Sequence, residues 1–171
     1  MQKKLRLLID LLPHKHSKIL RYVGDHPSRI LKIVPPLLLK IYRVTSTNLF
    51  EDDFRWDKSG EPIEFFAMWR IRDKKDARTT CWTKVKVLGE QNSKDKKGRL
   101  MVDIHPYMIT EFPYSNFLHK IFYRSYSYFF YGNQRRRYRE RELILVDRLE
   151  NEIREEFGII KKEHRGKMRG N

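Results

Sequence analysis

The densest group of chemically useful side chains in this sequence is a run of five arginines between residues 135 and 141. The run follows a segment, residues 107–131, that is rich in tyrosine and phenylalanine. Guanidinium groups match the oxygens of a phosphate, and both arginine planes and aromatic rings stack on unpaired bases. Because adjacent arginines repel one another, the run favours an anionic partner such as RNA. The alternative is that the rings form core while the arginines begin a solvated helix.

Further cations are concentrated near both ends of the chain and in the polar loop that starts at Gly89. The sequence shows no RNA-recognition signature of the RRM, KH or double-stranded-RNA-binding type, so we expect contacts to phosphate and to RNA shape. The residues expected to bind RNA are Lys3, Lys4, Arg6, Lys15, Lys18, Lys94, Lys96, Lys97, Arg99, Arg135, Arg136, Arg137, Arg139, Lys167 and Arg169.

Residues that could support catalysis or bind a metal do not form a recognisable motif. There is no glycine-rich loop for nucleotide phosphates and no H-E-x-x-H zinc motif. His14 and His16 are two positions apart, which would place them on different faces of a helix. The acidic residues between 51 and 64 crowd a loop with Gly and Pro, which favours surface ion pairs, and Cys81 lies on the apolar side of an expected strand. We therefore expect no enzymatic activity, no catalytic residue, no metal site and no cofactor.

The chain carries a large excess of positive charge. Its 171 residues include 37 Lys and Arg against 22 Asp and Glu, which gives a formal net charge of +15. The whole surplus lies in residues 1–50 and 91–139, whereas residues 51–90 and 140–171 are neutral. Two basic blocks around a neutral middle indicate two surfaces that meet phosphate while the middle packs or contacts protein.

The length fits one globular unit, and the single cysteine excludes an internal disulfide. No apolar run reaches the roughly 20 residues that a spanning helix needs, so we expect no spanning membrane segment. The basic and apolar N-terminus suits an uncleaved mitochondrial targeting helix, and the alternative is a basic surface helix.

Sequence patterns predict helices near both ends of the chain. Residues 3–12 and 16–23 favour two short helices, and Pro35-Pro36 should end a third that begins near Ser28. Apolar residues at helical spacing predict a C-terminal helix over residues 139–157, ended by Gly158, and a basic, extended tail follows.

Three strands are predicted in the middle of the chain, at residues 64–72, 79–88 and 99–105. The second strand alternates, with Cys81 and Val85 on one face and Trp82, Lys84 and Lys86 on the other. One face can therefore pack while the other carries cations, as in a half-buried antiparallel strand.

These elements together predict an α+β fold. A small antiparallel sheet of about three strands, residues 64–105, would be flanked by N-terminal helices and a C-terminal helix, with extended basic termini. The chain would divide into a basic helical extension at 1–50, a β core at 51–106, and an aromatic and Arg-rich segment with the last helix and tail at 107–171, all in one globular unit.

The proline-broken apolar stretch leading to KIYRVTSTNLF, the strand FFAMWRIR and the strand TTCWTKVKV give the chain a family resemblance. Over roughly residues 28–90 it resembles the mitochondrion-specific small-subunit ribosomal protein family numbered thirty-four. The matching positions are Tyr42, Arg43 and Val44, then Trp69, Arg70 and Ile71, then Trp82, Thr83 and Val85. The resemblance implies a non-enzymatic structural subunit that contacts ribosomal RNA and neighbouring ribosomal proteins.

We therefore expect a structural constituent of the mitochondrial ribosome, in the small subunit and in the matrix, that binds rRNA and is not a homo-oligomer. The alternative is an accessory subunit of a mitochondrial inner-membrane respiratory or ATP synthase complex, whose basic surface would face an anionic lipid such as cardiolipin.

Overall fold

The structure is a computed structural model. It describes residues 3–12, 16–114 and 131–160, together with Leu118, Ile121, Phe122, Ser125 and Tyr126. Six strands and two longer helices are formed within this part of the chain. They are β1 (Lys3–Asp10), β2 (Lys18–Asp25), α1 (Ile30–Tyr42), β3 (Leu49–Asp57), β4 (Ile63–Lys74), β5 (Thr79–Gln91), β6 (Lys97–Tyr114) and α2 (Gly132–Phe157).

The strands form one antiparallel sheet that is organised around the long strand β6. β1 pairs with the second half of β6, where Leu5 lies opposite Phe112, and β2 pairs with the first half, where Leu20 lies opposite Val102. β1 and β2 thus follow one another along the same side of β6. On its other side the order continues through β5 and β4 to β3, which is the far edge.

Both helices pack on one face of this sheet and bury its apolar side chains. Alternation over the middle of β4, β5 and β6 places every second residue in the core, as expected for a sheet covered on one side. The core includes Phe65, Trp69, Ile71, Val85, Val87, Val102 and Ile104 from the sheet and Val34, Leu38, Ile41, Val146, Leu149 and Ile153 from the helices.

The expected three-stranded sheet between N-terminal helices is wrong, because the sheet has six strands and residues 3–10 and 18–25 are two of them. Exposure alternates along β1: Lys4, Arg6 and Leu8 are exposed, whereas Leu5 and Leu7 are partly buried. This two-residue period is that of a strand. The expected strands at 64–72, 79–88 and 99–105 are present but form only the middle of the sheet, and the last continues to Tyr114.

Helix α1 runs without interruption through Pro35 and Pro36, which were expected to end it. Proline in a helix interior removes a hydrogen bond and costs about 3 kcal/mol. Buried apolar residues on both sides of the pair, from Ile30 to Ile41, form one stripe against the sheet. Burial of this stripe outweighs the cost of the prolines. The helix ends at Tyr42, and Arg43 is its C-cap residue.

The acidic segment expected to be a loop is the edge strand β3. Its backbone pairs with β4, and the register shifts between Glu51 and Asp53, where a β-bulge accommodates one extra residue. Glu51 accepts a hydrogen bond from the indole Nε1 of Trp69 at 3.1 Å. Bulges and charged side chains are common on edge strands, because they discourage pairing with other chains.

The C-terminal helix was expected to end at Gly158, and this is confirmed. Gly158 has a φ of 62°, and backbone N–H groups at this position bond to the last turn of α2. The helix begins at Gly132, seven residues before its expected start, so the arginine run lies inside the helix rather than before it.

A buried polar network attaches α2 and α1 to the sheet. The Tyr42 hydroxyl donates to Thr83 Oγ1 at 2.7 Å, and Thr83 donates to Glu142 Oε1 at 3.0 Å. Lys75 Nζ lies 3.2 Å from the other oxygen of Glu142 and also pairs with Asp73. Burial raises the pKa of Glu142, although the charge of Lys75 lowers it in part. Lys75 is therefore the cation that compensates a fully buried carboxylate.

Candidate nucleic-acid interface

The sheet face opposite the helices is not covered by any described residue, and we call it the open face. Because side chains alternate along each strand, the residues that do not enter the core project from it. It carries Lys4, Arg6, Leu8, Asp10, Ile19, Arg21, Val23, Asp25, Phe50, Asp52, Asp53, Arg55, Asp57, Glu64, Phe66, Met68, Arg70, Arg72, Lys74, Thr80, Trp82, Lys84, Lys86, Leu88, Glu90, Lys97, Arg99, Met101, Asp103, His105, Tyr107, Ile109, Glu111 and Pro113.

Several cations of the open face are engaged by carboxylates of the same face. Arg70 makes two hydrogen bonds to Asp52, one of them 2.8 Å long, and Arg99 Nε lies 2.8 Å from Glu90. Lys4 pairs more loosely with Glu111, at 3.3 Å. The charges of these three cations are therefore partly compensated within the face itself.

Several other cations of the open face have no carboxylate partner. Among residues 3–12, 16–114 and 131–160, no carboxylate oxygen lies within ion-pair distance of Arg6, Arg21, Lys84 or Lys86. Lys84 and Lys86 lie on the central strand β5 and are half-exposed. Lys86 lies opposite Asp103 of β6 without forming an ion pair with it, so both lysine charges remain available to an anion.

Aromatic rings lie beside these cations. Trp82 and Tyr107 are direct neighbours across β5 and β6, and Trp82 also contacts Phe50, with ring centroids 5.7 Å apart. The guanidinium of Arg70 lies over the Trp82 ring at 5.3 Å, and that of Arg72 lies over Phe50 at 5.7 Å. Aromatic rings and individual cations thus lie side by side on the open face.

A shallow groove crosses the open face between β1 and β3. Asp10 accepts a hydrogen bond from each of two histidines: His105 Nε2 lies 3.0 Å from one carboxylate oxygen and His16 Nδ1 lies 2.9 Å from the other. The hydrogen bond with His105 lowers the pKa of Asp10 most, against the effect of burial. Arg6 and Lys84 also line this groove. The carboxylates of Asp10 and Asp52 belong to the same lining, so an anion would approach this groove only at the Arg6 and Lys84 side chains.

The first group of expected RNA-binding residues divides between the two faces of the sheet. Lys4 and Arg6 lie on the open face. Lys18 projects to the helix side, where it pairs with Asp147 and with Glu150 at 2.7 Å, so it attaches β2 to α2. Lys3 lies in β1, but its side chain is outside the described part of the structure. Lys15, Lys167 and Arg169 are wholly outside the described residues.

The second group lies at the β5–β6 turn, at one end of the sheet. Lys94, Lys96 and Lys97 are all exposed there, and Lys96 adopts a positive φ of 60°. Lys96 Nζ donates to the carbonyl of Ser93 at 2.7 Å. Arg99 follows on the open face, so the sheet surface continues from this turn.

The third group lies on α2, at the opposite end of the sheet. Tyr138 of this helix donates to Asp76 in the β4–β5 turn, at the other end of β5 from the lysines. Arg139 donates to the carbonyl of Leu11 at 3.0 Å, Arg136 pairs with Glu140, and Arg135 is half-buried near the Tyr131 ring, where burial lowers its pKa. The lysine and arginine clusters therefore do not form one site.

Arg137 and Arg141 are the arginines of this group that are exposed without an ion pair in the part of the chain that the structure describes. They lie four residues apart, on the same side of α2. They form a second, smaller basic patch, on the helix layer of the molecule.

Arg21, Arg70, Arg72, Lys84 and Lys86 were not among the expected RNA-binding residues, yet they occupy the open face. The alternation Trp82-Lys84-Lys86 indicates a cationic face, and it is the sequence signal that could have identified them. Only the pairing of neighbouring strands shows that Arg70, Arg72 and Arg21 lie on this face.

The structure also locates the candidate thiol and the metal-ligating side chains of the described residues. Cys81 is fully buried, and burial raises the pKa of its thiol. No cluster of three or more metal-ligating side chains is present in the described residues. None of the helices described is long and apolar enough to span a membrane.

Comparisons with protein-family models, with curated proteins and with solved structures find no significant match to this chain.

Proposed function

We propose that this protein is a structural, RNA-binding subunit of a ribonucleoprotein particle, and that its open face binds unpaired RNA. The observation that carries the proposal is the row of unpaired cations Lys84 and Lys86 beside the rings of Trp82 and Tyr107. A basic surface without a stacking platform would suit many polyanions, whereas this combination suits nucleic acid in particular.

The form of the open face favours single-stranded RNA over a duplex. Proteins that bind single strands combine a basic surface with exposed planar side chains, and each stacked base contributes about 1–3 kcal/mol. Trp82, Tyr107 and the guanidinium plane of Arg70 offer such surfaces on neighbouring strands. The bases of a duplex are already stacked on one another, so these groups could not reach them.

Membership of the small subunit of the mitochondrial ribosome is the more specific part of the proposal. It is supported by the net charge of +15 and by the family resemblance between residues 28 and 90. A ribosomal subunit would contact rRNA and neighbouring ribosomal proteins, and it would act in the mitochondrial matrix without catalysing a reaction.

The binding surface can be tested with the purified protein and fluorescently labelled RNA. The double variant Lys84→Gln with Lys86→Gln removes two phosphate contacts, so the slope of log K against log salt should become less steep by about 1.4. At about 0.1 M salt this corresponds to about 25-fold weaker binding of single-stranded RNA. The matched control is Arg137→Gln with Arg141→Gln, which removes the same charge from α2 and should change the affinity less than threefold, well below the factor of ~10 that corresponds to 1.4 kcal/mol.

Several outcomes would contradict this assignment. Equal losses of RNA affinity in the two double variants would mean that RNA does not bind preferentially at the open face. Tighter binding to duplex than to single-stranded RNA would refute the stacking argument. Stronger binding to cardiolipin vesicles than to RNA would favour an inner-membrane complex instead.

Membership of a particle is tested by sedimentation of the tagged protein in mitochondrial lysate on sucrose gradients, at low and high salt. We expect migration with small-subunit rRNA that is lost after RNase treatment. Migration with a detergent-solubilised membrane complex, unaffected by RNase, would refute the ribosomal proposal.

A further inference from the structure

A second groove lies on the helix side of the sheet, between the edge strand β3 and the start of α1, and we call it the aromatic groove. Its volume is about 610 Å³, within the range of small-molecule sites. Phe54 and Trp56 of β3 form one wall, and Leu31 and Lys32 of α1 form the other. It lies in the opposite layer of the molecule from the open face.

The aromatic wall is exposed although it lies on the side of the sheet that carries the core. In the register of β3 and β4, Phe54 is opposite Ala67 and Trp56 is opposite Phe65. Both rings nevertheless remain accessible, with 49% of Phe54 and 37% of Trp56 exposed. Trp56 is held by stacking on Phe65, with ring centroids 5.9 Å apart and an interplanar angle of 21°. Its other face is available to a planar ligand.

Gln91 supplies a hydrogen-bond donor to the groove. Its side-chain oxygen accepts from the backbone N–H of Ser28 at 3.3 Å and from the Ser28 hydroxyl at 2.8 Å. These two bonds fix the orientation of the amide. Its –NH₂ group then has no acceptor among the residues that the structure describes, although Gln91 as a whole is buried. A ligand with a carbonyl oxygen or a ring nitrogen could supply that acceptor.

The rim of the groove is basic. Arg29 is occupied by the carbonyl of Glu156 and the ring of Phe157. Lys32 is exposed and, within the described ranges, forms no ion pair, and His26 is exposed at the same rim. A ligand that combines an aromatic ring, an acceptor and a negative charge would complement all of these groups.

We propose that the aromatic groove binds one unpaired nucleotide. The base would stack on Trp56 against Leu31, a base carbonyl or ring nitrogen would accept a hydrogen bond from Gln91, and the phosphate would contact Lys32. The inference adds a second contact to the proposed RNA-binding function. It is testable separately, because free nucleotides probe the groove without the open face.

The test uses tryptophan fluorescence of the full chain carrying Trp82→Phe, in which Trp56 is the accessible tryptophan and Trp69 is buried. Nucleoside monophosphates are titrated against the matching nucleosides and against inorganic phosphate. We expect saturable quenching by the monophosphates, at least tenfold weaker binding of the nucleosides, and none by phosphate alone.

Two surface substitutions and two controls locate the ligand. Adding Lys32→Glu should weaken monophosphate binding at least tenfold while leaving nucleoside binding unchanged, and Trp56→Leu should abolish the quenching. Lys74→Glu, an exposed lysine at the other end of the sheet, should change neither. Lys84→Gln with Lys86→Gln should also leave the quenching unchanged, so that failure of the open-face proposal and failure of this one give different results.

Absence of saturable quenching would overturn the inference, as would quenching that is lost equally in the Lys84 and Lys86 variant. A short acidic peptide with one phenylalanine serves as the competing ligand. If this peptide binds more tightly than the nucleotides and displaces them, the groove belongs to a protein partner and the nucleotide assignment is wrong.

Discussion

Lys75 compensates the buried carboxylate of Glu142, and Lys75→Met should therefore destabilise the fold in a manner that depends on pH. Methionine preserves much of the aliphatic stem, so packing changes little. Glu142 would keep the hydrogen bond from Thr83 but lose its cation. Breaking a buried pair by removing one partner costs about 3–5 kcal/mol when the remaining group stays charged.

Protonation of Glu142 sets an upper limit to this cost. The ordinary pKa of the carboxyl is 4.5, and burial without Lys75 would raise the folded-state pKa further. Taking up a proton at about pH 7.5 costs about 4 kcal/mol, from 1.36 kcal/mol per pH unit over about three units. At about pH 5 the same cost is below about 1 kcal/mol. A raised folded-state pKa contributes stability at low pH that is lost as pH rises, so the defect of the variant grows with pH.

Urea denaturation from about pH 5 to about pH 8, followed by fluorescence of the buried Trp69, measures this difference. The matched control Lys74→Met, at the exposed neighbour, should change stability by less than about 0.5 kcal/mol. The double variant Lys75→Met with Glu142→Gln should lose the pH dependence. A defect of Lys75→Met that is constant with pH, or one that the second substitution leaves equally pH-dependent, would refute the assignment of the buried charge to Glu142.

Three further substitutions probe the fold and the open face. Gly98→Ala should cost about 1–3 kcal/mol, because a Cβ would lie 1.9 Å from the carbonyl oxygen of Glu90, whereas Gly60→Ala, with no atom within 4 Å of its Cβ, should be nearly neutral in thermal melts. Burial would raise the pKa of Asp76, but hydrogen bonds with Tyr131, two backbone amides and Tyr138 lower it. Asp76→Asn should therefore lower the free energy of unfolding by about 1–2 kcal/mol in urea titrations near neutral pH. This difference from wild type should shrink as the pH falls below 3.8, the ordinary pKa of the carboxyl, because protonation then removes the same stabilisation from wild type. Trp82→Leu should weaken single-stranded RNA binding by about 5- to 150-fold through lost stacking while leaving the salt slope unchanged, and a changed slope would contradict a stacking role.

The central strands could be predicted from the sequence because their local pattern and their environment agree. β4 and β5 are rich in aromatic and β-branched residues, and one of their faces meets the core while the other does not. Gly158 similarly marks the end of α2, since its left-handed conformation is one that glycine adopts readily. In these segments the local preference and the tertiary structure require the same conformation.

The N-terminal strands β1 and β2 were predicted to be helices, because both are short and lie on the edge of the sheet. Leu8 in β1 and Ile19 and Val23 in β2 are apolar yet exposed, so apolar residues occur on both faces and obscure the two-residue period. Their strand conformation depends on pairing with β6, about 70 to 110 residues later in the chain. A pattern within ten residues contains no information about that partner.

The candidate interface shows how the same limitation applies to function. A run of charges that is dense in sequence need not be available at the surface. In the arginine run, Arg136 pairs with Glu140, and Arg139 donates a hydrogen bond to the carbonyl of Leu11. The cations of the open face are scattered along the chain, and the sheet brings Arg6, Arg21, Lys84 and Lys86 to one surface. Pairing of strands, rather than adjacency in sequence, therefore determines which charges remain available. The alternating residues of β5 locate the proposed RNA-binding surface better than the longest basic run does.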